Sequence, residues 1–134
     1  MSSVFSKIVE GEIPSYKIAE DDNYFAFLDI NPLSKGHALV IPKKEVDYIF
    51  DLDKEIYDGL FRFSRKVAKA IENSVDCIRI GIVVYGLDVP HAHIHLIPLR
   101  GDNDIDFNKK RVKLTENEFI NLANTIRQNI LKIK

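Results

Sequence analysis

One run of residues restricts this chain more than any other: His91-Ala92-His93-Ile94-His95-Leu96-Ile97-Pro98. Imidazoles at i, i+2 and i+4 alternate with apolar side chains, which is the period of a β-strand. Ala92, Ile94 and Leu96 should therefore face a core. His91, His93 and His95 should stand in a row on the other face, roughly 6–7 Å apart. Imidazole titrates nearest neutrality, so it can accept a proton, donate one or attack as a neutral nucleophile. Three readings fit the residues. Buried structural histidines would each need a hydrogen-bond partner. A zinc site would use the neutral rings as three protein ligands. Metal-free nucleophilic or acid–base catalysis is the reading carried forward.

The rest of the chain predicts what surrounds that strand. Val4 to Val9 reads as a short helical turn or the start of a strand, closed by Gly11 and Pro14. Tyr16 to Ala19 and Tyr24 to Asp29 are strand-like around the turn-forming Glu20-Asp21-Asp22-Asn23. A strand over His37-Ala38-Leu39-Val40-Ile41 is apolar enough to be buried on both faces. Asp53 is a candidate N-cap for a helix with a stripe of Ile56, Leu60, Phe63, Val67 and Ile71. Ile78 to Val84 reads as a buried strand, joined to the histidine strand by a short link in an antiparallel hairpin. Gly101 to Lys110 reads as a polar loop. Thr115-Glu116-Asn117-Glu118 fits a capping box, opening a helix over about 115–132 with Phe119, Leu122, Ala123, Ile126 and Ile130 inward. The expected fold is α+β: an antiparallel sheet of about five strands with two main helices, as one domain over 1–134.

Composition narrows the function classes. A formal charge of −1 leaves no basic surface for nucleic acid, and Lys43-Lys44 and Lys109-Lys110-Arg111 read as solvated loops. One cysteine, Cys77, permits no internal disulfide and fits a reducing compartment. No apolar run is long enough to span a membrane, and the start of the chain lacks the apolar core of a signal peptide. A cytoplasmic location is the expectation.

Taken together, four blocks in order resemble the histidine triad (HIT) superfamily of nucleotide hydrolases and transferases. They are the His91–Pro98 run, Phe5–Pro14, Ala26-Phe27-Leu28-Asp29-Ile30-Asn31-Pro32 and Gly36–Lys43, covering about residues 4–100. The resemblance implies a HIT-like fold and attack by His93 on the α-phosphorus of a nucleotide, through a covalent nucleotidyl-histidine. His91 and His95 would donate to phosphate oxygens, and His37 would buttress the row. Phe5, Ile8, Phe27, Asp29, Ile30 and Asp88 are the nucleotide-binding candidates, with a purine between the apolar walls and Asp29 on the ribose hydroxyls. Core packing is the plainer reading of Phe5, Ile8, Phe27 and Ile30, and a turn-stabilising role that of Asp29. No cofactor or metal is expected, and a homodimer is.

Four departures from the family pattern stand out. Leu87 and Asp88 replace a Gln-Ser or Gln-Thr element that touches phosphate in many relatives. Ser3 and Ser6 stand where some relatives carry zinc-binding cysteines, and Glu45 where some carry a further histidine. The C-terminal tail is longer than in the small phosphoramidases. Two alternatives stay open: a nucleotide-binding module with little catalysis, and a triad-based zinc enzyme.

Overall fold

The alternation read along the histidine run extends across the whole sheet of the computed structural model, which describes residues 2–133. A short helix α1 (Val4–Val9) leads into β1 (Lys17–Glu20), β2 (Tyr24–Leu28) and β3 (Ala38–Pro42). A single 3-10 turn (Ile49–Asp51) precedes the long helix α2 (Lys54–Glu72). Strands β4 (Arg79–Val83) and β5 (Ile94–Leu99) and helix α3 (Glu116–Ile130) complete the order. The five strands form one antiparallel sheet in the order β1-β2-β3-β5-β4. This is the expected α+β fold.

Two apolar layers lie on opposite faces of that sheet. Tyr24, Ala26, Leu28, Ala38, Val40, Ile94 and Leu96 face α2 and α3, meeting Leu60, Val67, Ile71, Phe119, Leu122 and Ile126. The residues between them, Phe25, Phe27, Leu39 and Ile41, face α1 through Phe5, Ile8 and Val9. Ala92, Ile94 and Leu96 thus point into the larger core, as their spacing predicts. Register pairs Leu39 and Val83 with His95, placing that ring on the α1 side. Gly36, at φ +97°, makes the turn into His37; a side chain there would press on Pro98 and Val75.

Several local expectations need correction. Strand pairing in the histidine run starts only at Ile94, so His91 and His93 lie on the chain entering β5. The link from β4 is long, covering 84–93. Strand β4 is an edge strand, with Ile82 53% exposed and Val84, just past its end, 40% exposed, because among the described residues no further strand pairs with its outer side. Its β-branched run signals strand but not burial. Asp53 caps α2 by position alone, without a side-chain hydrogen bond. Thr115 and Glu118, by contrast, form the full capping box of α3. Arg127 on α3 is tied to the Lys17 carbonyl of β1 and to Asn124. No helix among the described residues is long and apolar enough to cross a membrane.

The closest packing of α2 on the sheet is at Gly59. Tyr24 donates its hydroxyl to the Ile56 carbonyl at 3.0 Å, and a Cβ on Gly59 would overlap that hydroxyl oxygen. Gly59→Ala gains helix propensity of up to about 1 kcal/mol but overpacks the contact at about 1–3 kcal/mol. We expect a lower Tm by thermal denaturation, restored only in part when Tyr24→Phe is added, because the ring carbon Cζ would still lie 2.8 Å from the new Cβ.

Candidate active site

The site is built around four histidines in an apolar setting, and each hydrogen bond determines where a proton sits. The Leu33 amide donates to His37 Nδ1 at 3.0 Å, so the His37 proton is on Nε2. That N–H donates to His95 Nδ1 at 2.9 Å. Neutral His95 therefore carries its own proton on Nε2. His93 donates from Nδ1 to the His91 carbonyl at 2.7 Å, and in that tautomer the lone pair is on Nε2. His91 donates from Nε2 to the Pro42 carbonyl at 2.7 Å and accepts from the Ser3 hydroxyl on Nδ1 at 2.8 Å.

Burial sets the charge. It pushes the His37 pKa down to about 3 and the His95 pKa down to about 4, and it lowers that of His91. These three rings are neutral near neutral pH. The two nitrogens left without a hydrogen-bond partner are Nε2 of His93 and Nε2 of His95. Their ring centroids are 5.0 Å apart. One presents a lone pair and the other an N–H, side by side.

The six nucleotide-binding candidates converge. Phe5, Ile8, Phe27, Asp29, Ile30 and Asp88 all line one cleft of about 370 Å³, and His95 lies on its wall. Phe5 and Phe27 are buried and meet edge to face at 5.5 Å, and the Phe5 ring stands 5.0 Å from His93. Ile30 is 67% exposed, so it is a wall of the cleft and not core. Asp29 accepts the Asn31 amide at 2.8 Å, the turn role, and its other oxygen lies 3.6 Å from His37 Nε2. Burial raises its pKa, partly offset by the Asn31 amide. Asp88 places Oδ1 3.2 Å from His93 Nε2 without a hydrogen bond.

A second cleft of about 360 Å³ touches His93 from the other direction, between Tyr48, Phe50, Tyr57, Tyr85 and Leu87. The largest depression, about 630 Å³, lies over Glu20, Asp21, Glu55 and Arg62 and contains no histidine.

Two parts of the site were not foreseen. The 101–110 segment is not merely a polar loop: Phe107 meets His95 edge-on at 5.1 Å and stacks on Tyr85 at 5.6 Å. Arg111 is not a solvated charge, since it lies over Phe107 and donates to the carbonyls of Asn31 and Phe107. The lone aromatic in Asp104-Ile105-Asp106-Phe107 was the only available signal. The second part is a polar clamp on His91. Ser3, Ser6 and Glu45, noted above only as departures, converge there. Glu45 accepts from the Ser3 amide at 2.5 Å and from the Ser6 hydroxyl at 2.7 Å, which holds its pKa down at about 2.

Among the described residues, two groups of side chains bring donor atoms close enough to share a metal ion: Asp29, His37 and His95, and Asp88, His93 and His95. Coordination by the first would break the His37–His95 hydrogen bond. Coordination by the second would require the proton to leave His95 Nε2. The hydrogen-bond pattern therefore fits a bound metal poorly.

With fold and geometry described, the comparisons agree. The HIT domain family model matches residues 10–102. An uncharacterized HIT-like protein of Borreliella burgdorferi is 35% identical over 135 residues, covering 95% of this chain and 97% of that one. The adenosine 5'-monophosphoramidase of Schizosaccharomyces pombe is 44% identical over 100 residues, covering 73% and 74%. A hypothetical histidine triad nucleotide-binding protein of Sulfolobus tokodaii superposes with a TM-score of 0.86 at 28% identity, covering 96% and 92%. The chain belongs to the HIT domain family.

The buried rings predict acid sensitivity. In the unfolded chain they take protons near pH 6.5; in the fold His37 and His95 resist until about pH 3 and 4. Their stability contribution is thus full above about pH 6.5 and is lost as pH falls through that window. Tm measured from pH 7 to 4 should fall more steeply in the wild type than in His37→Asn, each relative to its own pH 7 value.

Proposed function

We propose that this chain is a nucleotide hydrolase or nucleotidyl transferase. It would cleave at the α-phosphate of nucleoside phosphoramidates, dinucleoside polyphosphates or nucleotidyl esters. The observation that carries this reading is the pair of buried, unpartnered nitrogens, a lone pair on His93 Nε2 beside an N–H on His95 Nε2, at the edge of a nucleoside-sized cleft.

In this mechanism the substrate's purine lies between the walls of Phe5, Ile8, Phe27 and Ile30, with Asp29 accepting from the ribose. His93 Nε2 attacks phosphorus and the bond to the leaving group breaks, leaving nucleotidyl-His93. Water then displaces the histidine and releases the nucleoside monophosphate. Splitting one displacement in two is the benefit of covalent catalysis. His95 donates from Nε2 to the phosphoryl oxygens, where a fixed donor stabilises developing charge. The His91 carbonyl accepts from His93 Nδ1 and stabilises the positive ring that forms. Both ring nitrogens of His91 are already engaged, so His91 acts as a positioning residue and not as a phosphate donor. His37 is also a positioning residue, acting through His95. No step requires a metal or cofactor.

The Asp88 carboxylate beside His93 favours one alternative, a nucleotide-binding module with little turnover, since a carboxylate repels phosphate. Turnover of an adenosine phosphoramidate and of diadenosine polyphosphates decides between them. We expect the wild type to hydrolyse at least the phosphoramidate, His93→Ala to lose about 10³-fold or more in kcat, and chelator to change neither. Tight adenosine monophosphate binding without turnover of any substrate would favour the module.

We also infer a homodimer. Strand β4 leaves an open sheet edge with exposed Ile82 and Val84, and continuous with it lie exposed Phe50 and Tyr85. A second copy related by a two-fold axis would cover such an edge. Light scattering at micromolar concentration should give about twice the 15.4 kDa chain mass, and Ile82→Lys should shift it toward the monomer. Charge, the free thiol of Cys77 and the absence of basic patches support a cytoplasmic setting with a nucleotide, not a nucleic acid, as ligand.

A further inference from the structure

We propose that Asp88 is a catalytic residue that carries the reaction's proton, giving it to the departing atom and recovering it from the attacking water. The inference rests on the nucleotidyl-His93 reading and identifies the substrate class as one whose leaving group must be protonated, such as an amine.

The histidines cannot supply this proton. His37 and His95 are neutral, and a neutral imidazole is not an acid near neutral pH; it can hydrogen-bond to phosphate but cannot protonate an amine. His91 has both nitrogens committed. Asp29 is held by the Asn31 amide on the ribose side of the cleft. Yet an amine leaves a phosphoramidate only when its nitrogen receives a proton, and proton transfer by a placed group contributes about 10²–10⁴-fold.

Asp88 is the group left, and its placement suits the task. Its Oδ1 lies 3.2 Å from His93 Nε2, out of hydrogen-bond alignment. Its side chain is 46% exposed while that of His93 is sealed at 0%, so the carboxyl can turn toward a departing group. Asp88 lines the nucleoside cleft, and its neighbours Gly86 and Leu87 line the second cleft with His93. The 86–88 turn therefore stands between the nucleoside and the space open to a leaving group.

The protons balance over two steps. The reaction starts with the proton on Asp88 Oδ1 and the lone pair on His93 Nε2, the two atoms 3.2 Å apart. Nε2 then bonds to phosphorus while the bond from phosphorus to the leaving atom breaks. The leaving atom keeps the electron pair, takes the Asp88 proton and departs as the neutral amine. In the second step the Asp88 carboxylate takes a proton from water as its oxygen bonds to phosphorus. The phosphorus–Nε2 bond breaks with its pair returning to nitrogen, and Asp88 is again protonated.

The test separates the proton from the attack. An adenosine 5'-phosphoramidate of an alkyl amine needs a proton to depart; the 4-nitrophenyl ester of adenosine monophosphate departs as a stable anion. The parameter kcat/KM reports only events through loss of the leaving group. Asp88→Asn keeps the shape and removes the transferable proton. We expect kcat/KM to fall at least about 100-fold further on the phosphoramidate than on the ester. An equal fall on both substrates, or no fall on the phosphoramidate, overturns the role of Asp88 while leaving nucleotidyl-His93 intact. A wild type inactive on both, or His93→Ala as active as wild type, removes the underlying reading and Asp88 with it.

Discussion

Four imidazoles set against an apolar sheet must either find partners or charge and leave, and most of this architecture follows from how they are accommodated. Three of the rings are oriented by a partner that can only donate or only accept: the Leu33 amide on His37, the Pro42 carbonyl on His91 and the His91 carbonyl on His93. A fixed partner selects a tautomer, and selected tautomers propagate, from His37 to His95 at 2.9 Å. The consequence is asymmetric. Two adjacent rings that are chemically identical in the sequence present a lone pair and a donor to the same small volume.

The sheet makes that arrangement rigid. His95 sits between Leu39 and Val83 in register, with Ile94 and Leu96 locked into the core below α2. Rotating either face would expose an apolar row and bury a polar one, so the period-2 pattern leaves a single register. Helix α1 closes the other side, with Phe5 edge-on to His91 and His93. Its position is secured by the Ser3 and Ser6 contacts to Glu45 and His91. The same short helix thus forms a wall of the cleft beside His95 and clamps the first histidine. Helix α3 contributes packing: Phe119, Leu122 and Ile126 are buried, and Arg127 is spent on β1 and Asn124, with no part in the cleft.

The histidine strand, the buried β3, the stripe of α2 and the capping box of α3 were legible because each is a short-range pattern. Local spacing decides which face of a strand or helix is apolar, and the core has to match it. The convergence of Phe5, Ile8, Phe27, Asp29, Ile30 and Asp88 on one cleft is likewise foreshadowed by blocks in a recognisable order. Burial on β4 was not legible. A β-branched run looks the same at the centre of a sheet as at its edge, and only the strand order separates them.

What the sequence determined by itself is the chemistry available: three histidines on one strand-like run, an aspartate beside them and apolar walls before them. Which ring presents a lone pair and which an N–H to the same volume was decided by the tertiary structure. It brings Leu33 to His37, His37 to His95 and Ser3 to His91, contacts between 4 and 88 residues apart in the chain. It also lays Phe107 on His95 and Arg111 on Asn31 from a stretch that reads as ordinary loop. A ring's tautomer depends on its partner rather than on its neighbours in sequence, and the partner exists only once the strands have paired.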